Sequence, residues 1–156
     1  MVPLDGSAYA ETALPLATEL AEEWNARLLL VEVIPTLQPV RAPLDAFGVP
    51  PAEYGTEQEA ATSYLHGFAE TIHRPIVTRT LFGSVIEELV ACAREEKVTD
   101  VVLASHGRTG LSRVLLGSVA DDLIHRLNLP VIVVPSLVAR KAPEPAEAGD
   151  LHLIQQ

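Results

Sequence analysis

Hydrophobic positions along the chain change period several times, and each change marks an element. Met1 to Leu4 is a short apolar run ending in Asp5-Gly6-Ser7, which reads as a strand end, a turn and a helix cap. From Ala8 to about Trp24, Ala10, Ala13, Leu14, Ala17, Leu20, Ala21 and Trp24 recur at helical spacing with acidic residues between them. Pro15 lies inside that pattern and predicts a kink, because it removes one backbone donor. Arg27 to Ile34 is almost wholly aliphatic, as a parallel strand covered on both faces should be.

Pro35, Pro39, Pro43, Pro50 and Pro51 then interrupt any regular element, so residues 35–54 are expected to form a surface loop or flap. Further along, the pattern predicts a helix from about Thr56 to Ile72, a strand from Ile76 to Leu81 and a helix from about Ser84 to Lys97. A strand follows from Asp100 to Ala104, then a loop from Ser105 to Arg113 leading into a helix that reaches Leu127, and a last strand from Val131 to Val134. Strands alternating with helices imply an α/β fold: an open, doubly wound, five-stranded parallel sheet, order 3-2-1-4-5, with helices on both faces. Ligands of such sheets sit beyond the carboxyl ends of the strands, where the winding reverses. If the first and fourth strands are neighbours, Asp5-Gly6-Ser7 faces Ser105 to Gly110 across that crevice.

Length and composition narrow the class. The chain has 156 residues, 48% of them hydrophobic, which suits one domain with an ample core. That domain is expected at residues 1–135, with residues 136–156, rich in Ala, Pro and Glu, as a partly disordered tail. No apolar run of membrane-spanning length and no secretory signal pattern is seen, so a cytoplasmic location is expected. Cys92 is the single cysteine and reads as a buried, inert thiol. The formal charge of −10, from 21 acidic and 11 basic residues with no dense basic patch, argues against nucleic-acid and membrane partners. A small anion could still be held by backbone amides, a helix N-terminus and a metal ion.

The stretch from Val101 to Ala120 carries the chemistry. It reads strand, loop, helix, with Ala104, Gly107 and Gly110 small enough for close approach of backbone to a ligand, a geometry that suits phosphate oxygens. Gly117-Ser118 interrupts good helical sequence, so either a helix starts there or something packs on bare backbone. Ser118 would then cap that start or bond a phosphate. No lysine follows Gly117, which rules out a Walker A loop, and no G-x-G-x-x-G follows the first strand.

From Leu4-Asp5-Gly6-Ser7 through Ala104-x-x-Gly107-x9-Gly117-Ser118, the chain resembles the universal stress protein family over roughly residues 1–135. In the nucleotide-binding branch of that family the signature is G-x-x-G-x9-G-S or G-x-x-G-x9-G-T, and Ala104 replaces its first glycine. The resemblance implies an ATP-bound, dimeric stress-response protein. Carried over residue by residue, it puts Asp5 by the adenosine, Val33 with its backbone to adenine, and Leu103 and Ala104 beside the ribose. Gly107, Gly117, Ser118 and Val119 would line the phosphates, with Arg108 as a further cation there. Magnesium or manganese would bridge the phosphates, with no protein side chain ligating the metal directly. The homodimer would pair through the edge strand Val131 to Val134.

Simpler readings stand beside these. Asp5 could be only a helix cap, Arg108 and Arg113 only loop cations. Ser105 and His106, as neighbours in an extended segment, point apart and lack the G-x-S-x-G elbow of a serine hydrolase. His66 and His73 have no third ligand to complete a metal site and should face solvent. No residue is assigned a catalytic role. The leading reading is an ATP-binding regulatory dimer; a slow ATP hydrolase or phosphotransferase using Asp5 or His106, and a dimeric interaction module that no longer binds nucleotide, are the alternatives.

Overall fold

A computed structural model describes residues 1–36, 51–105 and 117–135, side chains of 51–54 excepted. Its elements follow in the order β1 (Val2–Leu4), α1 (Ala8–Glu11), α2 (Leu14–Glu23), β2 (Leu28–Pro35), α3 (Pro51–Thr71), β3 (Ile76–Gly83), α4 (Val85–Glu95), β4 (Val101–Ala104), α5 (Ser118–Arg126) and β5 (Val131–Val134). The α/β class and the parallel pairing match expectation.

The strands form two parallel ladders, β1-β2-β3 and β4-β5. β1 and β4 lie side by side, and the Val102 N–H donates to the Met1 carbonyl at 2.9 Å. A regular parallel ladder would have residue 3 return an N–H to the Val102 carbonyl, and Pro3 has none. Proline therefore interrupts the ladder at the junction where one five-stranded sheet was expected.

Alternation along the central strands feeds two cores. Leu29 and Val31 of β2 join Val101 and Leu103 of β4 in a cluster with Leu89 of α4 and Leu123 of α5. Leu28, Leu30 and Val102 point the other way, to Ala17 of α2 and Leu65 of α3. Helices thus cover both faces, which is why these strands are aliphatic throughout.

Two local expectations are corrected, and one open alternative is decided. Instead of one kinked helix from Ala8 to Trp24, the chain forms α1 and α2, because the Thr12 and Ala13 amides turn back to the Tyr9 and Ala10 carbonyls. Pro15 falls in the first turn of α2, where a missing donor costs nothing. The expected flap of 35–54 is shorter at both ends: Pro35 finishes β2, and Pro51 opens α3 well ahead of Thr56. Residues 37–50, the rest of that flap, lie outside the described residues, as do 106–116 and the expected tail at 136–156. Finally, helix α5 starts at Ser118, so the Gly117-Ser118 interruption is a helix start.

Candidate functional site

β1 and β4 end side by side, and a cleft of about 750 Å³ opens beyond them. One wall is the turn that leaves β1. Gly6, at φ 76°, takes the left-handed conformation that glycine adopts most easily, and this lets the chain reverse into α1. Ser7 caps α1 by accepting from the Ala10 N–H at 3.2 Å, and its own N–H and hydroxyl donate to Asp5 Oδ1 at 3.0 and 2.6 Å. The cap is therefore Ser7, while Asp5 positions the cap and borders the cleft.

The facing wall is the start of α5. Gly117 is its cap residue and donates its N–H to the Ser105 carbonyl at 2.7 Å, which ties the helix start to the end of β4. The first intrahelical bond runs from the Asp121 N–H to the Gly117 carbonyl, and no side chain caps the helix. The amides of Ser118, Val119 and Ala120 therefore have no partner within the helix, and the positive end of the helix dipole coincides with the cleft wall.

β2 supplies the floor. The Leu28 and Thr36 N–H groups both donate toward β3, so by alternation the main-chain polar groups of Val33 point toward β1. β1 ends at Leu4, opposite Glu32, so the Val33 backbone faces the mouth of the cleft.

Of the residues singled out in the sequence, Asp5, Val33, Leu103, Ala104, Gly117, Ser118 and Val119 all line this one cleft. Ala104 is a buried part of its wall. Gly107, Arg108, Gly110, Arg113 and His106 lie outside the described residues. His66 and His73 are exposed, as expected. Cys92 is buried, and that burial pushes its thiol pKa up, consistent with an inert thiol.

Several lining residues escaped the sequence reading, Glu32 and Tyr64 among them. Glu32 is only 8% exposed, on the face of β2 that looks toward α1 and α3. Tyr64 of α3 donates to Glu11 Oε1 at 3.1 Å and packs edge-on against Phe68. Burial, then the Glu11 carboxylate, with Glu32 and Asp5 adding to it, pushes the Tyr64 phenol well above its ordinary value. A lone carboxylate in the aliphatic run Leu28 to Ile34 was the available signal for Glu32. Among the described residues no lysine or arginine lines the cleft, whereas Asp5, Glu32 and Glu57 do.

The universal stress protein family model matches residues 1–135. The chain belongs to the universal stress protein family. Within the family it is 31% identical over 135 residues to universal stress protein MJ0531 of Methanocaldococcus jannaschii, across 86% of this chain and 79% of that one. The solved structure of hypothetical protein MJ0577, from the same organism, has a TM-score of 0.72 at 27% identity, across 86% of this chain and 92% of that one. A universal stress protein solved in complex with cAMP shares the fold at a TM-score of 0.58 and 24% identity, across 86% and 94% of the two chains. The mycobacterial universal stress proteins it matches are longer, and the chain spans about half of their length, 49% in Rv1996 of Mycobacterium tuberculosis. No helix among the described residues is long and apolar enough to cross a membrane.

Proposed function

We propose that this universal stress protein is a cytoplasmic regulatory protein that binds ATP in the cleft between Asp5 and the start of α5. The observation that carries this reading is the juxtaposition of the Asp5 turn, the Val33 backbone edge and the Ser118 and Val119 amides around one cavity of about 750 Å³. That size lies within the range of small-molecule sites, roughly 300 to 1,000 Å³. Adenine would meet the Val33 backbone, the ribose would lie by Asp5, Leu103 and Ala104, and the phosphates would take the amides of Ser118 and Val119 beside Gly117. Gly107 belongs to the same proposal through the family signature, and Arg108 through its charge, as a cation beside the phosphates.

ATP brings several negative charges to a cleft whose described lining is acidic. A magnesium or manganese ion held by the phosphates fits that donor set and would neutralise charge that Ser118 and Val119 amides only partly offset. The fold relative that holds cAMP supports an adenine nucleotide as the ligand class.

We further infer that the two ladders act as one sheet of order 3-2-1-4-5, and that two copies pair through β5, whose outer edge has no neighbouring strand among the described residues. Residues 1–135 would be the nucleotide-binding domain and 136–156 a tail. Acid extraction of the purified protein followed by nucleotide chromatography, with calorimetry against ATP and magnesium or manganese, tests the reading. Bound adenine nucleotide and saturable heat are expected. Neither, at millimolar ATP, would leave the interaction module as the better account.

A further inference from the structure

Glu32 and the start of α5 stand on different sides of the cleft and give it opposite electrical ends. The α5 end presents backbone amides and a positive helix terminus. The other end gathers the carboxylates of Asp5 and Glu32, with Glu57 at the exposed rim. A phosphate group is repelled from the acidic end and drawn to the amides, so the nucleoside half of a nucleotide lies beside Glu32.

We propose that Glu32 is a specificity-determining residue of this cleft, reading an uncharged N–H or O–H donor on the nucleoside half of the ligand. The inference rests on the nucleotide reading above. Tyr64 offers only a neutral phenol oxygen, a weaker acceptor than a carboxylate, and its ring serves as wall. Glu57 is exposed, so water competes for it. Asp5 is only half-buried, at the turn that leaves β1. Glu32 differs from all three in lying buried against the cavity, where water is scarce and a neutral donor forms a charge-assisted bond of more than ordinary strength. A ligand lacking the donor would cover that carboxylate and forgo the bond, and such a loss is what makes buried polar groups selective. Two parts of a nucleoside offer this chemistry, the exocyclic amine of the base and the hydroxyls of the ribose.

Calorimetry on the full chain with magnesium and four ligands separates them: ATP, inosine triphosphate, 2′-deoxy-ATP and 3′-deoxy-ATP. Inosine triphosphate carries a carbonyl oxygen in place of the amine. The parent should bind at least one analogue about tenfold or more weakly than ATP. Glu32→Leu, which matches the aliphatic strand around it, should close most of that gap for the same analogue. A gap for inosine triphosphate assigns the amine, and one for a deoxy analogue assigns the ribose. Equal binding of all four by the parent overturns the inference whatever the variant does. So does a folded Glu32→Leu that keeps the parent's ranking, or that weakens all four ligands alike. Should Glu32→Leu fail to fold by circular dichroism, Glu32→Gln, which keeps the shape and removes the charge, is read by the same criterion. Absence of binding by the parent to any of the four would instead sink the nucleotide reading itself.

Discussion

The Gly117 N–H donates to the Ser105 carbonyl at 2.7 Å and joins the end of β4 to the start of α5 at the rim of the cleft. Gly117 has φ −61° and ψ 149°, a conformation open to any residue, so its small size and not its backbone freedom is what the cleft uses. Gly117→Val should keep the bond to Ser105 and the fold, at a cap cost of about 1 kcal/mol. It should weaken ATP binding at least tenfold by filling space beside the amides. Unchanged affinity in a folded variant, measured by calorimetry, would take Gly117 out of the ligand's path.

Ser7 connects stability to the site. Ser7→Ala removes the cap of α1 and the hydroxyl donor to Asp5 Oδ1 while leaving the backbone N–H of residue 7 in place, and should cost about 1 kcal/mol. For a domain of this size that is a fall in Tm of about 2 to 4 °C. Calorimetric scans of both proteins without ligand check it; an unchanged Tm would mean that α1 is held by packing alone.

ATP turnover should be slow. Asp5 is the one described carboxylate that the sequence offered as a base, and its Oδ1 is occupied by Ser7. Holding phosphates does not by itself orient a water or lower the chemical barrier. Phosphate release with magnesium and with manganese should stay below about one per second, the lower end of ordinary enzymes. Faster release that disappears in Asp5→Asn or His106→Ala would make this protein an enzyme.

Tyr64 predicts how stability responds to alkali. Its phenol is held neutral in the fold, while in the unfolded chain it titrates near pH 10. Above that pH the unfolded chain has released a proton that the folded chain still binds, so stability falls as pH rises; below it both states are protonated and the effect vanishes. Urea midpoints measured from pH 8 to 11 should drop above pH 10 in the parent and drop less in Tyr64→Phe. An equally steep fall in the variant would assign the loss to other groups.

The outer edge of β5, which has no neighbouring strand among the described residues, can be tested by removing a single backbone donor. The Val101 and Ser105 amides donate to the Pro130 and Val134 carbonyls, so even-numbered residues of β5 face β4 and the polar groups of Val131 and Val133 face outward. The Val133 side chain packs on the core cluster, so a charged replacement there would disturb packing as well as pairing. Val133→Pro removes the outward donor and puts an apolar ring in place of the valine side chain, a change that edge strands tolerate better than a buried charge. Light scattering at micromolar concentration should give a dimer for the parent and a monomer for the variant. A monomeric parent would remove the edge-pairing model.

The order of elements was legible from the sequence because an aliphatic run such as Leu28 to Val31, or Val101 to Ala104, can bury both faces only between layers of helices. The helix start was legible for a similar local reason: Gly117-Ser118 is poor mid-helix sequence and good helix-start sequence. Tertiary structure alone decided how those pieces meet. Pro3 reads as an ordinary strand residue until β4 lies beside it and its missing N–H interrupts a ladder. Pro15 changes from a kink to a helix start because the chain had already turned back at Thr12 and Ala13. Glu32 and Tyr64 acquire meaning only when α3 packs over β2 and brings a carboxylate and a phenol 32 residues apart to one wall. Periodicity reports which way a side chain points along its own element. What stands opposite is fixed by contacts distant in sequence, on which no local pattern depends.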